Sequence, residues 1–377
     1  MIPMNLWILL FRNKPKVRFF LPTKSHLVIY DPVVREVFKD IVDPYKPTYL
    51  ALSSEIYLPI FVKACYKKLF HRNERLIDLY ITEFLAFINP TLIGTNFEID
   101  CIFSYFVSNL GWDTFFVQHG NYAGFFVNEE YRDFYKSSNV TDMFVFNSGV
   151  ETHMALNFNY TGNFHVIGSL IANELIDKTI KSNSNGKYLY FISEWEGVNS
   201  DVTALQAQQR IVEFCKNYCS DNSMILKILL RHHKNHPKYE NEIAFYKEVT
   251  AGGVEFKSKE SANDNYRNIV NAYGVVFLSS TLGYELMLNE KLSVACISFR
   301  GSIMGSYSEV FGWPLVKESR GLGFTNIISY EEISRVLHDL KIGGISNEIR
   351  RKLLEFDPKN RTFKFYLEHK LSGTSER

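Results

Sequence analysis

The stretch "YLYFISEWEGVNSDVTALQAQQRIVEFCKNYCSDNSMILKILLR" (188–231) decides the fold. It opens with a short apolar run (188–195), continues with apolar residues at helical spacing (202–219) and closes with a second apolar run (224–231). A strand, a helix and a strand of these lengths make a right-handed crossover unit, which places the two strands parallel. The stretch therefore predicts an α/β protein built on a parallel sheet.

The same alternation extends in both directions. Strands are predicted at 26–31, 91–95, 114–120, 142–149, 164–169, 274–280 and 292–299, and helices at 55–70, 74–88, 99–111, 266–273, 282–289 and within 346–371. A polar segment, "KTIKSNSNGK" (178–187), separates two series of alternating strands and helices and is typical of a linker. We expect two doubly wound halves, 1–180 and 181–345, and a helical tail, 346–377. Ligands of such sheets bind at the carboxyl ends of the strands, here in the cleft between the halves.

The composition excludes several classes of protein. Of the 377 residues, 46% are hydrophobic and 22% charged, which is typical of a globular protein. The formal net charge of +1 argues against a nucleic-acid partner. The five cysteines contain no C-x-x-C pair, so neither a disulfide framework nor a structural zinc site is expected, and a reducing compartment fits best.

The amino-terminal segment has an apolar run only from Leu6 to Phe11, too short to span a bilayer, and it lacks the features of a signal peptide. It predicts a buried first strand. The basic and aromatic residues that follow, over 14–20, could dock to a membrane surface, although a surface strand is favoured.

A basic loop, "RHHKNHP" (231–237), follows a predicted strand. His232 and His236 have the spacing of a helical metal site, but Pro237 and the preceding strand oppose helical geometry. A phosphate grip fits better: Arg231, Lys234 and His236 would supply cations and donors, and Pro237 would fix the turn. A solvated basic loop is the alternative.

A second cluster lies in "FLSSTLGYE" (277–285). Ser279, Ser280 and Thr281 stand between a predicted strand and a helix, where hydroxyl and backbone N–H groups can bind an anion. Glu285, one turn later, could accept hydrogen bonds from a ribose. The alternative is that Ser280 or Thr281 only caps the helix.

Three more residues are candidates for catalysis. His119 ends a predicted strand and is followed by Gly120, which permits close approach of a substrate. Glu194 also follows a strand and could act as acid or base. Asp100 could be a nucleophile or base. Each has a plain alternative: a loop histidine, a solvated glutamate and a helix-capping aspartate.

The motifs of other nucleotide-binding families are absent. There is no GxxxxGK[ST] loop of a P-loop nucleotidase, and no GxGxxG opens either half, which argues against a dinucleotide oxidoreductase.

Taken in order, the motifs resemble those of a family. They are "VQHG" (117–120), "SEW" (193–195), the basic loop ending in "HP" (236–237), and "SST" (279–281) before the helix with Glu285. The set resembles bacterial surface-polysaccharide glycosyltransferases of the two-Rossmann (GT-B) type that use CMP-activated sialic, pseudaminic or Kdo-type sugars. The segment 299–326 also resembles the end of surface carbohydrate biosynthesis proteins.

This resemblance implies roles for the candidates. His236, Ser279 and Ser280 would hold the CMP phosphate, with Arg231, Lys234, Pro237 and Thr281 beside them, and Glu285 would take the ribose. Asp100 and His119 would face the transferred sugar, with Glu194 as a further catalytic carboxylate. The acidic catalytic motif of sialyltransferases is not found in the first half. No metal and no cofactor would be required.

The expected activity is transfer of the acidic sugar to a hydroxyl of a capsule, O-antigen or lipopolysaccharide glycan, and the acceptor could be lipid-linked. The expected location is the cytoplasm or the inner face of the cytoplasmic membrane, with peripheral membrane contact. Two alternatives stay open: a CDP-glycerol-type polyol-phosphate transferase, whose family also carries HP and serine-rich loops, and a non-catalytic glycan-binding protein that retains the fold.

Overall fold

A computed structural model of the chain describes fifteen parts of it. These are residues 15–30, 36–52, 54–96, 107, 110–118, 140–148, 162–179, 187–195, 202–259, 262–269, 272–277, 280–288, 294–297, 324–325 and 355–372. Within these parts, no helix has the length and apolar character needed to cross a membrane. The predicted first strand (6–11), the helix at 99–111 and most of the linker lie largely or wholly outside the described residues.

The amino-terminal half contains eight strands and four helices among its described residues. The strands are β1 (Lys16–Arg18), β2 (Leu27–Tyr30), β3 (Thr48–Leu50), β4 (Glu55–Tyr57), β5 (Leu92–Thr95), β6 (Asp113–Val117), β7 (Asp142–Val145) and β8 (Asn163–Val166). The helices are α1 (Glu36–Val42), α2 (Leu58–Phe70), α3 (Leu76–Ile88) and α4 (Leu170–Thr179), and a 3₁₀ turn covers Asp43–Tyr45.

Six of these strands form one sheet in the order β3-β2-β5-β6-β7-β8. Every neighbouring pair in it is parallel. β1 and β4 form a separate two-stranded parallel pair. The helix predicted at 55–70 was therefore wrong in its first three residues, which pair with Lys16–Arg18 as β4, and the helix begins at Leu58 with Pro59 in its first turn.

The carboxyl-terminal half repeats this architecture. Its strands are β9 (Tyr188–Ile192), β10 (Ile225–Leu229), β11 (Glu255–Lys257), β12 (Ala272–Phe277), β13 (Val294–Ile297) and β14 (Phe324–Thr325). Its helices are α5 (Val202–Asp221), α6 (Tyr239–Thr250), α7 (Ala262–Asn268) and α8 (Thr281–Met287). The six strands lie in the order β11-β10-β9-β12-β13-β14, all parallel. Here α7 ends before the predicted end at 273, because Ala272 and Tyr273 already belong to β12.

Two parallel sheets, each wound with helices, confirm the predicted fold class of two Rossmann-like halves. The order in each sheet reverses next to its first strand in sequence, β2 or β9, which is the switch point where such folds bind ligands. The boundary near residue 180 stays a prediction, since 180–186 are outside the described residues.

The last helix, α9 (Arg361–Ser372), returns to the first half. Phe363 and Leu367 are fully buried in the core of the first sheet, where the Phe363 ring packs 4.8 Å from that of Phe144. Just before it, Phe356 bridges Gly168, and the amide of Asn173 donates to Asn360 at 2.9 Å. The chain thus crosses between the halves twice.

A buried aspartate at the amino end of β7 holds this returning helix. Asp142 accepts hydrogen bonds from His165 Nε2 (2.8 Å), Asn163 Nδ2 (3.2 Å) and the hydroxyl of Tyr366 on α9 (2.9 Å). Burial opposes ionisation of Asp142, but these donors and Lys370 outweigh it, so its pKa is lowered. The folded protein therefore favours the carboxylate.

Replacing Asp142 with Asn should lower the free energy of unfolding by about 1–3 kcal/mol at neutral pH, because the donors lose a charged acceptor. A lowered folded-state pKa gives stability that is present above the unfolded pKa, about 3.9, and is lost as the pH falls through the folded pKa. Thermal unfolding of wild type and D142N should therefore converge in acid. The control is Asp113→Asn, an exposed acid that pairs with Lys370 at 3.1 Å and should matter little. Equal loss in both variants would contradict this role.

Candidate functional site

Three of the predicted motifs meet at one edge of the second sheet. β9 ends before Glu194, β10 ends before the loop 231–237, and β12 ends before Ser280. β9 lies between β10 and β12. Since neighbouring strands are about 4.8 Å apart, the two outer ends lie roughly 10 Å from each other. Side chains from both can therefore reach one ligand at the end of β9.

Glu242, in the first turn of α6, joins two of these motifs. Its side chain is fully buried. Oε1 accepts the hydroxyl of Ser193 at 2.5 Å and the backbone N–H of Arg231 at 2.8 Å. Oε2 accepts the backbone N–H of His232 at 3.1 Å and its ring Nδ1 at 2.8 Å. One carboxylate thus fixes the "SEW" segment and the start of the basic loop against each other.

Aromatic packing strengthens this junction. The ring of Trp195, 2% exposed, stands edge-on to His232 with centroids 5.9 Å apart. The N–H of Trp195 lies 3.3 Å from Ser193 Oγ, and that of Glu194 donates to the Gln208 side chain at 3.1 Å. These bonds hold the backbone of the segment, while the Glu194 side chain is half-buried.

Two of the three histidines of the loop, His232 and His236, have hydrogen-bond partners that indicate which ring nitrogen carries the proton. Because His232 Nδ1 faces the Glu242 carboxylate, that nitrogen carries a hydrogen. His236 Nδ1 instead accepts the backbone N–H of Lys238 at 3.1 Å, which leaves the proton of the neutral ring on Nε2. The two rings stack with centroids 4.2 Å apart. His236 therefore offers an Nε2–H donor from a ring held against a fixed neighbour.

The charge state of His236 follows from its surroundings. Partial loss of hydration lowers its pKa, and His232, His233 and Lys238 lower it further. At neutral pH the ring is therefore mainly uncharged and acts as a directional donor. Arg231, Lys234 and Pro237 are exposed on the same loop, so positive charge stands beside that donor.

The serine cluster is described from Ser280 onward, and Ser279 lies outside the described residues. Ser280 has extended backbone (φ −62°, ψ 130°) at the cap position of α8, but its side chain makes no capping bond. Thr281 is the first residue of the helix. At Gly283 a Cβ would lie 2.2 Å from the Phe277 ring, so only glycine lets the helix approach β12 this closely.

Glu285 connects the two halves. It is 3% exposed and accepts hydrogen bonds from the hydroxyl of Tyr266 on α7 (2.9 Å) and the hydroxyl of Ser169, which follows β8 of the first half. Burial, together with the Glu285 carboxylate, raises the pKa of Tyr266 well above its usual range. Tyr266 therefore stays a hydrogen-bond donor.

A pocket lies beside Ser169 at the carboxyl edge of the first sheet. Its polar lining is Asn96, Gln118 and Ser169, at the ends of β5, β6 and β8, and its apolar lining includes Val37 and Phe38. His119 follows Gln118 directly but, like Asp100, is outside the described residues. Among the described residues, no group of three or more His, Cys, Asp or Glu side chains could hold a metal ion.

A family model described as "putative O-antigen biosynthesis protein" matches residues 115–371, more than half of the chain. The chain belongs to this O-antigen biosynthesis family. The match covers the basic loop, the serine cluster and all but the last residue of the returning helix α9. A comparison with curated protein sequences finds no match.

Solved structures share the fold of this family member. The S. aureus MnaA–UDP co-structure superposes with a TM-score of 0.55 at 12% identity, over 94% of this chain and 99% of that one. The UDP-GlcNAc 2-epimerase from Methanocaldococcus jannaschii gives 0.53 at 10% identity, over 92% and 100%, and its complex with UDP-GlcNAc and UDP gives 0.53 at 11% over the same shares. At this identity the likeness shows the fold, which is GT-B.

Sequence patterns had not pointed to two of the residues that organise the site. Glu242 reads as an ordinary acid in the first turn of a helix, favoured there by the helix dipole. Ser169 ends the predicted strand 164–169, and only the rule that ligands bind at strand ends hints at it. His232 had no assigned role, and the structure makes it the support of His236.

Replacing Glu242 with Gln in this O-antigen biosynthesis protein should lower the free energy of unfolding by about 1–3 kcal/mol, because an amide cannot accept all four donors. The His232 ring should also lose its fixed Nδ1–H form, which ¹⁵N NMR of the imidazoles reports. The matched control is Glu240→Gln, an exposed acid on the same helix. An E242Q protein with wild-type stability and unchanged His232 signals would contradict the assignment.

Proposed function

We propose that this family member is a glycosyltransferase that moves an acidic eight- or nine-carbon sugar from its CMP donor to a hydroxyl of a cell-surface glycan. The observation that carries the proposal is the junction of the "SEW" and "HP" motifs through Glu242, which aims the Nε2–H of His236 from the end of β10. Membership of an O-antigen biosynthesis family agrees with a glycan product.

The phosphate of the donor would bind between the ends of β10 and β12. His236 would donate through Nε2, with Arg231 and Lys234 adding positive charge. Ser279, Ser280 and Thr281 would donate from the other side, and Pro237 would hold the turn. When the bond from the anomeric carbon to the phosphate oxygen breaks, negative charge develops on the leaving CMP, and fixed donors and cations stabilise it. The proposal needs no metal, so chelation should leave transfer unchanged.

The ribose would bind at Glu285. Each carboxylate oxygen can accept more than one hydrogen bond, so ribose hydroxyls could join Tyr266 or replace Ser169. Replacement of Ser169 would release a contact between the halves. Donor binding would then be linked to opening of the cleft.

The transferred sugar would face the first half. The pocket at Asn96, Gln118 and Ser169 lies at the strand ends where His119 and Asp100 are also expected. A basic group there would take the proton of the acceptor hydroxyl, and a carboxylate would stabilise positive charge on the sugar. We propose His119 and Asp100 for these two roles, with Glu194 as the carboxylate on the opposite side of the cleft.

Removing the donor of His236 should weaken nucleotide binding by at least about tenfold, as expected for loss of a hydrogen bond to a charged group. His236→Ala should therefore lose CMP affinity in calorimetry. His236→Gln, which keeps an N–H at a similar reach, should recover part of it. His369→Ala is the matched control, because this exposed histidine lies on α9 and outside the basic loop. If H236A bound CMP like the wild type, the phosphate site would lie elsewhere.

Glu285 should be tested through the ligand as well as the protein. Wild type should bind 2′-deoxy-CMP more weakly than CMP, by about tenfold, if Glu285 accepts the ribose hydroxyls. Glu285→Gln should bind both nucleotides weakly and with nearly equal affinity. A Tyr266→Phe control perturbs the same carboxylate but should keep the discrimination. Undiminished discrimination in E285Q would remove Glu285 from the ribose site.

The donor is tested by competition. Binding of CMP, CDP and UDP should be compared first, followed by transfer from CMP-linked acidic sugars to lipopolysaccharide or capsule fragments, with and without EDTA. Preference for CMP and metal-independent transfer are expected. Preference for UDP, the nucleotide named in the related structures, would mean that the donor is a UDP-sugar, while the activity would still be glycosyl transfer. Preference for CDP would favour polyol-phosphate transfer, and glycan binding without turnover would favour a non-catalytic protein.

A further inference from the structure

An apolar surface lies on the first half and contains none of the residues of the candidate site. Eleven large hydrophobic side chains are exposed among the described residues, and eight of them belong to two short segments. We call these eight the amino-terminal apolar surface. They are Val17, Phe19, Phe20, Leu21, Val62, Tyr66, Leu69 and Phe70. Such a concentration marks a surface that contacts something other than water.

Helix α2 contributes four of them on one face. Val62, Tyr66, Leu69 and Phe70 follow the helical repeat, and each is 58–70% exposed. Ile60 and Ala64, on the opposite face, are buried against α3 and the first sheet. The face with Ile60 and Ala64 therefore packs into the core. The second apolar face, with Val62, Tyr66, Leu69 and Phe70, has no partner within the described chain.

The other four lie in or just after β1, which the fold connects to the same helix. β1 pairs in parallel with β4, and β4 leads directly into α2. The Phe20 ring lies 6.4 Å from that of Tyr57, the residue at the start of α2. The two groups thus belong to one structural unit.

The charge around this surface is strongly positive. Residues 15–30 and 54–74 contain seven lysines and arginines and two glutamates, Glu55 and Glu74, whereas the whole chain has a net charge of only +1. Glu55 and the buried Glu83 pair with Arg18, Lys63 and Lys67. Among the described residues, the other four basic residues form no ion pair with an acidic side chain. They are Lys16, Lys24, Lys68 and Arg72.

We propose that the amino-terminal apolar surface docks this protein on a lipid bilayer that carries anionic headgroups. Aromatic and aliphatic side chains would enter the boundary between headgroups and acyl chains, while the surrounding lysines and arginines would bind the lipid phosphates. Positive charge also disfavours a second copy of the chain as the occupant, because a symmetric dimer would bring the two basic rims together. This docking does not depend on the donor or on the reaction.

The test is binding of the full chain to vesicles, without nucleotide or acceptor. Vesicles of phosphatidylcholine alone should be compared with vesicles that also contain phosphatidylglycerol, over a range of salt concentrations. Co-sedimentation should require the anionic lipid and weaken as salt is added. The variants replace Phe19 and Phe70 with Ser, or Lys16 and Arg72 with Gln. Lys63 and Lys67 are avoided because their loss would leave buried Glu83 unpaired.

Matched controls separate docking from general effects. Phe365→Ser removes an equally exposed aromatic side chain (68%) on α9, and Lys39→Gln with Lys247→Gln removes two exposed cations elsewhere. The two surface variants should each lower the vesicle-bound fraction by about tenfold while thermal unfolding stays at the wild-type value. Controls should bind like the wild type. The proposal is overturned if wild type does not bind anionic vesicles, if controls and surface variants lose binding equally, or if sedimentation shows a dimer that F19S/F70S abolishes.

Discussion

The candidate site at the edge of the second sheet depends on one buried carboxylate. Glu242 accepts four hydrogen bonds, one from the end of β9 and three from the loop after β10. Burying a carboxylate is costly unless donors surround it, so the fold is stable only when both segments reach it together. The hydrogen bonds that stabilise the buried Glu242 carboxylate therefore also hold His232 in place. His232 in turn supports His236 through ring stacking. The start of a loop rich in cations is fixed because the backbone N–H groups of Arg231 and His232 and the His232 ring all contact this acid.

The fold could be predicted because most of its strands can be recognised from short local sequence patterns. "HLVIYD", "TLIGT" and "MILKILL" are short apolar runs bounded by polar residues, and strands buried on both faces need no more information than that. β4 escaped prediction for the opposite reason, and β1 was favoured only as a surface strand within 14–20. Each is three residues long, and Glu55–Tyr57 lies in a sequence with helical periodicity, so its extended conformation comes from pairing with Lys16–Arg18, about forty residues earlier. Long-range pairing of that kind leaves no trace in a local window.

In the candidate site, too, some residues could be predicted from local sequence and others depend on long-range packing. Arg231, His236, Ser280 and Glu285 could be chosen because they follow strands, and the structure does put the first three at one sheet edge. The residue that connects the loop to the neighbouring strand end, Glu242, could not be predicted from the sequence. Glu242 and its exposed neighbour Glu240 look alike in sequence, and only the rotation of α6 against the sheet buries one of them. The residue type and its position after a strand can be recognised in the local sequence. Whether the side chain is buried depends on how the helix packs against the sheet.

The contact between Ser169 and Glu285 bears on how the two halves act together. Glu285 lies in the second half and is buried, so its hydrogen bond to Ser169 joins the two halves at a place shielded from water. A ligand that binds Glu285 must either share this carboxylate or displace Ser169. Sharing would leave the halves closed around the ligand, while displacement would free Ser169 and the edge of the adjoining pocket. Because displacement would change the surroundings of the first half, a ligand at Glu285 and the pocket beside Ser169 would be linked through this hydrogen bond.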